Sequence, residues 1–252
     1  LRGAPARREA AVKILFVLHQ YLPRHVTGTE QYARSLAHGL QAKGHDVEIF
    51  AYEPLIQFEA EGKDWFERDE LVEGIPVHRC SVHPRHSPNR ELGDYENPLA
   101  TAMFARWVAD RGFDVVHVFH LKNLGVGLLR ELRRLAVPVA VHLMDFWFLC
   151  PNFLLLRRDG TVCDGPPEGG FGCRSCIDPA LGEAVEKANL RPALEALAAV
   201  PPTAGDMQAT TARRAQALLA RKPHLFAELE RVDAVIAPSQ FLRRVMVAHG
   251  LP

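Results

Sequence analysis

The chain has 252 residues, of which 48% are hydrophobic and 24% are charged, as in an ordinary soluble globular protein. Thirty lysines and arginines balance thirty aspartates and glutamates, so no net field favours nucleic acid as a partner. No stretch approaches the roughly 18 to 20 consecutive apolar residues of a membrane span, and a cytoplasmic protein is expected. The chain starts with Leu1 and stops at Pro252 without a closing element, which suggests a fragment.

The first part of the chain predicts a strand, a helix and a second strand. Lys13–Leu18 is a short apolar run rich in β-formers, typical of a buried strand. Residues 30–43 place their apolar side chains on one helical face, with Thr27 or Thr29 as N-cap. Asp46–Tyr52 alternates polar and apolar residues at a spacing that predicts a parallel βαβ unit.

The next segments have weaker patterns. Residues 53–73 are charged and irregular, and no element is predicted there. Residues 75–80 predict an edge strand, because Pro76 is tolerated at an edge and rarely in a central strand. Residues 83–97 are rich in proline and predict a loop with two solvated histidines.

The rest of the chain repeats the alternation of strands and helices. Helices are predicted over residues 98–111, 124–135, 181–199, 207–231 and 241–249, and strands over residues 113–119, 139–143 and 232–237. The repeated unit predicts an α/β fold with a doubly wound, Rossmann-like parallel sheet. Ligands of such sheets bind at the carboxyl ends of the strands.

Four loops are expected to meet at that edge. They are residues 19–29, 120–123 and 142–147 and the Pro238-Ser239 turn. Gly28 precedes a helix, where close backbone approach and free N–H groups favour a phosphate, although a tight turn explains the same glycine. A single glycine is not the G-x-G-x-x-G fingerprint, which counts against a nicotinamide or flavin enzyme.

Four of the five cysteines lie in one Gly- and Pro-rich segment, residues 147–179, called here the cysteine-rich loop. They are Cys150, Cys163, Cys173 and Cys176. The last two form a C-x-x-C pair, and four thiolates are the ligand set of a structural zinc site. An iron–sulfur cluster, disulfides and free thiols stay open as alternatives. Cys80 stands apart and is expected in the core.

Taken together, these segments resemble the N-terminal, acceptor-binding half of a GT-B glycosyltransferase of family four. The segments that carry the resemblance are Lys13–Leu18, Gly28-Thr29-Glu30, Leu36-Ala37, Lys43-Gly44-His45-Asp46-Val47, Asp114-Val115-Val116-His117, residues 138–145 and residues 232–239. The resemblance spans nearly the whole chain except residues 53–97 and the cysteine-rich loop, although some family members carry a similar loop. It implies that residues 1–252 form one Rossmann-like domain of a GT-B architecture, without the C-terminal donor-binding domain.

The resemblance implies a retaining enzyme that moves a sugar from a nucleotide-sugar donor to a hydroxyl of a glycan or lipid-linked acceptor. The donor would bind mainly to the missing domain, and peripheral membrane association is compatible with such an acceptor. Transfer would need no metal, since backbone amides and basic side chains stabilise the leaving diphosphate. Two alternatives stay open: a non-catalytic Rossmann-like binding module, and a metal or redox module built on the four cysteines.

Family members usually have His-Asp after the central strand, where this chain has Met144-Asp145. Asp145 keeps its place, and His142 lies two residues before Met144 on the same side of the strand, so these two are the candidate catalytic residues. The candidate substrate-binding residues are Gly28, Thr29, His120, Asn123 and Ser239. The structural alternatives are a cap for Asp145, a core histidine for His142 and a backbone-bonded loop histidine for His120.

Overall fold

The structure is a computed structural model that describes residues 10–54, 63–197, 200, 203 and 210–252. The strands in these ranges are β1 Lys13–Leu18, β2 Asp46–Tyr52, β3 Trp65–Val72, β4 Ile75–Val82, β5 Val115–Val118, β6 Val139–His142 and β7 Ala234–Ile236. They form one sheet in the order β3-β4-β2-β1-β5-β6-β7. Every neighbouring pair is parallel except β3 and β4.

Helices cover both faces of this sheet. The helices of the described ranges are α1 Gly28–Ala42, α2 Arg90–Gly93, α3 Pro98–Val108, α4 Gly127–Arg134, α5 Cys173–Ile177, α6 Pro179–Lys187, α7 Arg191–Leu197, α8 Thr211–Leu229 and α9 Gln240–Ala248. Ala33 and Ala37 of α1 pack with Phe16 on one face. Helices α3, α4, α8 and α9 pack on the other face, against β-strand residues such as Val17 and Val141. The predicted α/β, Rossmann-like fold is therefore confirmed.

The predicted edge strand at residues 75–80 exists as β4, but its position at the edge is wrong. β4 lies between β2 and β3. Pro76 is compatible with this position because parallel pairing with β2 starts one residue later, where Val77 faces Ile49. The edge strand on this side of the sheet is β3, which lies within the segment predicted to be irregular.

Two further predictions are wrong in part. The single helix predicted over residues 181–199 is two helices, α6 and α7, separated at Asn189, which has a φ of 49°. The loop predicted over residues 83–97 contains a 3₁₀ turn, Pro84–His86, and the short helix α2. Parts of the predictions for residues 1–11, 53–73, 181–199 and 201–231 lie outside the described residues.

No helix in the described ranges combines the length and the apolar character that a membrane span requires.

Candidate functional site

A polar contact at the carboxyl edge of the sheet joins the loops after β5 and β6. Nε2 of His120 lies 3.2 Å from Oδ2 of Asp145. The contact follows from the topology, since β5 and β6 are adjacent parallel strands and both residues lie just beyond their ends. The sequence places both residues in loops expected at this edge, and the structure brings them into direct contact.

Hydrogen bonds fix the roles of both side chains. The backbone N–H of Lys122 donates to Nδ1 of His120 at 3.1 Å, so the proton of the neutral ring is on Nε2 and is donated to Asp145. The other carboxylate oxygen of Asp145 accepts the backbone N–H of Trp147 at 2.7 Å. His120 is 4% exposed while Asp145 is 31% exposed. Asp145 is therefore an oriented carboxylate that a ligand can reach.

A second histidine, His19, adjoins this pair from the end of β1. Its ring centroid is 4.1 Å from that of His120. Its Nδ1 is buried without a hydrogen-bond partner among the described residues. Burial, followed by the charges of His120 and Lys122, holds the pKa of His19 well below its usual value. His19 is thus a neutral ring at neutral pH.

An ionic network centred on Asp94 supports the turn that carries Asp145. One oxygen of Asp94 accepts the indole N–H of Trp147 at 2.9 Å and a guanidinium N–H of Arg221 at 2.8 Å. The other accepts the ammonium group of Lys122 at 2.6 Å. Burial opposes ionisation of Asp94, but the charges of Arg221 and Lys122 prevail and lower its pKa. The network ties the loops after β5 and β6 to α8.

His142, predicted as a catalytic residue, lies at the end of β6 and is 3% exposed. Its ring stacks on those of His117 and Phe119 and meets the edge of Tyr32. Neither ring nitrogen has a hydrogen-bond partner among the described residues, and burial lowers the pKa of His142. In this arrangement the ring is part of an aromatic cluster and makes no hydrogen bond to Asp145.

The predicted substrate-binding residues near α1 and α9 are at helix starts. Gly28 is exposed, and a Cβ at this position would meet no atom within 4 Å, so the backbone is open to an approaching group. Thr29 is half-buried beside it. Ser239 is the N-cap of α9, and its Oγ accepts the backbone N–H of Leu242 at 3.1 Å. No hydrogen bond within the described ranges joins these residues to Asp145.

Asn123 binds to the protein's own backbone. Its N–H donates to the carbonyl of Asp94 at 2.9 Å, and its carbonyl accepts the side-chain amide of Asn97 at 2.7 Å. Its φ of 64° is in the left-handed region, which asparagine tolerates better than most residues. Asn123 also lines a cavity of about 360 Å³ together with Asp94 and Lys122. The loop after β5 therefore also lines a polar recess.

The four cysteines of the cysteine-rich loop line a separate cavity of about 330 Å³. All five cysteines of the chain are free, and Cys80 is buried in the core as predicted. Burial and the three other thiols of the loop raise the pKa of Cys173 to about 12. Cys173 thus lies within electrostatic range of the three other thiols.

Comparison with known proteins identifies the family. The family model described as a glycosyl transferase 4-like domain matches residues 27–252. The chain belongs to this family. Its membership confirms the resemblance to family-four glycosyltransferases that the sequence motifs indicate. A search of curated protein sequences finds no match.

Two solved structures are similar to this member of the glycosyl transferase 4-like family. The α,α-trehalose-phosphate synthase (UDP-forming) from Burkholderia xenovorans, in complex with glucose-6-phosphate, is 11% identical with a TM-score of 0.32 over 55% of this chain and 34% of that chain. The synthase from Burkholderia vietnamiensis is 14% identical with a TM-score of 0.30 over 52% of this chain and 32% of that chain. The chain spans about a third of the length of these proteins. Similarity this low carries no argument about function.

Sequence reasoning misses His19, Asp94 and Arg221. For His19 a signal exists, because it follows β1 as His120 follows β5, and β1 and β5 are neighbours in the sheet. For the pair of Asp94 and Arg221 no local signal exists, since the two residues are 127 positions apart and lie in a predicted loop and a predicted helix.

Proposed function

We propose that this chain is the acceptor-binding half of a retaining glycosyltransferase. The enzyme moves a sugar from a nucleotide-sugar donor to a hydroxyl of a glycan or lipid-linked acceptor. Membership of the glycosyl transferase 4-like family supports the reaction class. The observation that carries the assignment of a site is the contact of His120 with Asp145 at the carboxyl edge of the sheet.

In the proposed enzyme, Asp145 binds the acceptor hydroxyl. An ionised carboxylate only accepts hydrogen bonds and has about four lone-pair positions, of which His120 and Trp147 use two. The remaining positions are available to a sugar hydroxyl, and the exposed fraction of 31% gives that hydroxyl access. The carboxylate then orients the oxygen that attacks the donor, and correct orientation is a large part of the rate of a two-substrate reaction.

His120 holds Asp145 in place. The histidine donates a hydrogen bond from its Nε2–H to Oδ2 of the carboxylate. The neutral ring of His19 beside it adds no positive charge that would compete for the carboxylate. His142 lies behind this pair within the aromatic cluster and contributes through the packing of the β6 tip.

The exposed start of α1 at Gly28 and Thr29 is the proposed contact with the donor phosphates. Helix N-termini favour anions because their first N–H groups have no partner within the helix and the positive end of the helix dipole lies there. Thr27 and Glu30 fix this helix start through a side-chain hydrogen bond of 2.6 Å. A second domain, outside this chain, supplies most of the donor contacts in the proposed enzyme, and the transfer step needs no metal.

Donor turnover by the full-length protein tests this proposal. Release of nucleoside diphosphate from UDP-glucose, UDP-N-acetylglucosamine and GDP-mannose is measured with and without simple alkyl glycosides as acceptors. We expect acceptor-dependent release with at least one donor, and a product whose anomeric configuration by NMR equals that of the donor. Binding of donors without any turnover would favour a non-catalytic binding module, and an inverted product would contradict the retaining mechanism.

A further inference from the structure

The cysteine-rich loop encloses a site that sugar transfer does not use. Its cavity of about 330 Å³ is lined by all four of its cysteines: Cys150, Cys163, Cys173 and Cys176. Cys80, the remaining cysteine, is fully buried in the core of the sheet. The chain thus separates one core cysteine from four that share a single cavity.

Backbone hydrogen bonds fold three parts of the loop around this cavity. The N–H of Cys163 donates to the carbonyl of Leu155 at 2.7 Å, and Leu156 and Val162 form an antiparallel bridge. This bridge brings Cys163 back towards the segment that begins at Cys150. Cys173 and Cys176 lie one turn apart on α5 and complete the lining.

The segment after Cys150 has a backbone arrangement that suits a sulfur ligand. Phe153 and Leu155 have φ values of 49° and 53°, a left-handed conformation that is uncommon for bulky residues. In this conformation the backbone amides of Leu155 and Asn152 donate to the sulfur of Cys150.

We propose that the four cysteines bind one structural zinc ion. Zinc in structural sites takes four protein ligands in a tetrahedron, and four thiolates including a C-x-x-C pair are a common set. Four thiolates and Zn²⁺ carry a net charge of −2, and Arg157 and Arg158 in the cavity lining offset it. In the described part of the chain no three His, Cys, Asp or Glu side chains lie close enough together to hold an ion, so the proposed site requires the four thiols to move closer together when zinc binds.

The bound ion stabilises the segment that follows Asp145. The N–H of Cys150 donates to the carbonyl of Phe146 at 2.7 Å, and the N–H of Phe146 donates to the carbonyl of Phe153 at 3.2 Å. Fixing Cys150 therefore fixes both ends of this turn. The inference does not depend on the proposed function, because a structural zinc site contributes to folding whatever the domain binds.

Metal content tests the proposal directly. The full-length protein, produced in zinc-supplemented medium, is analysed by elemental mass spectrometry beside four single Cys→Ala variants of the loop and the matched control Cys80→Ala. We expect about one zinc per chain in the unmodified protein and in Cys80→Ala, and loss of zinc in each loop variant. The thermal midpoint of the unmodified protein should fall on treatment with a chelator and recover with added zinc.

Cobalt gives a second measurement that does not depend on how well the variants fold. Co²⁺ added to the chelator-treated, unmodified protein should produce the visible absorption of a tetrahedral thiolate site, and equimolar zinc should remove it. A protein without metal, iron with acid-labile sulfide in place of zinc, two disulfides by thiol counting, or zinc retained in Cys163→Ala would each overturn the proposal.

Discussion

The backbone amide of Lys122 donates to Nδ1 of His120 at 3.1 Å, and this bond decides where the imidazole proton lies. With Nδ1 occupied as an acceptor, the neutral ring carries its proton on Nε2, 3.2 Å from Asp145. Asp145 in turn accepts rather than donates. The loop after β5 thereby makes Asp145, in the loop after β6, a hydrogen-bond acceptor.

The hydrogen bond from Lys122 to His120 predicts which tautomer the His120 ring adopts. The neutral ring should be in the Nε2–H form, because Nδ1 can accept the Lys122 N–H only when it carries no proton itself. Long-range ¹H–¹⁵N spectra of protein labelled at histidine distinguish the two forms, with the signal assigned through His120→Gln. A ring protonated on Nδ1, or an even mixture of the two tautomers, would contradict the geometry.

Asp94→Asn should lower the free energy of unfolding by about 3 kcal/mol or more, the usual cost of breaking a buried ion pair. The substitution leaves Arg221, which is 2% exposed, without its carboxylate partner. Urea denaturation at pH 7 measures the change. The matched control Asp110→Asn alters an exposed carboxylate after α3 and should cost less than about 0.5 kcal/mol.

The effect of Asp94→Asn should also depend on pH. The pKa of Asp94 is lowered in the folded protein, so its contribution is complete above the unfolded value of about 3.9 and is lost as the pH falls through the folded value. The difference between Asp94→Asn and the unmodified protein should therefore shrink in acid. A difference that grows on acidification would contradict the account.

His117→Phe should flatten the pH dependence of stability between pH 7 and pH 5. Burial, with a further contribution from His142, lowers the pKa of His117 to about 4. The pKa of this histidine in the unfolded chain is about 6.5, so the unfolded chain binds more protons than the folded protein between pH 7 and pH 5. The free energy of unfolding therefore decreases as the pH is lowered through this range. Removing this titration should reduce the loss by about 1 to 2 kcal/mol. Urea denaturation at both pH values checks this, and an unchanged slope would contradict it.

Gly125→Ala should destabilise the protein more than Gly112→Ala. Both glycines have positive φ, 84° and 62°, so each substitution costs about 1 kcal/mol from backbone conformation alone. A Cβ at Gly125 would also lie 2.6 Å from the backbone nitrogen of Asn97, whereas one at Gly112 meets nothing within 4 Å. The clash should add about 1 to 3 kcal/mol in thermal or urea unfolding. Equal losses for the two variants would contradict the close approach.

The sequence predicts most of the sheet because buried parallel strands have a strong local pattern. β1, β2, β5 and β6 are short apolar or alternating runs, and each is found in place. The sequence does not predict β3, because Trp65–Val72 is partly exposed and rich in charged residues. Antiparallel pairing with β4 holds this strand in the sheet. Its strand character comes from a partner rather than from its own residues.

Of the candidate site, the sequence predicts only those residues that directly follow a predicted strand. His120 and Asp145 follow adjacent strands, so the sequence places them at one edge. Their orientation depends on Asp94, whose bonds to Lys122, Trp147 and Arg221 join residues 28 to 127 positions apart. No local pattern encodes such contacts, since they arise from the packing of α8 against the loops.

The rate of sugar transfer by Asp145→Asn tests the central claim most directly. The account predicts that the full-length variant stays folded, with a lower thermal midpoint because its side-chain amide can accept only one of the two hydrogen bonds that Asp145 accepts. It should lose roughly 100-fold in kcat/KM for the acceptor, the scale expected when a positioning contact is lost. The control Asp110→Asn should retain full activity. Turnover by Asp145→Asn equal to that of the unmodified enzyme would contradict the assignment of Asp145 to the acceptor site.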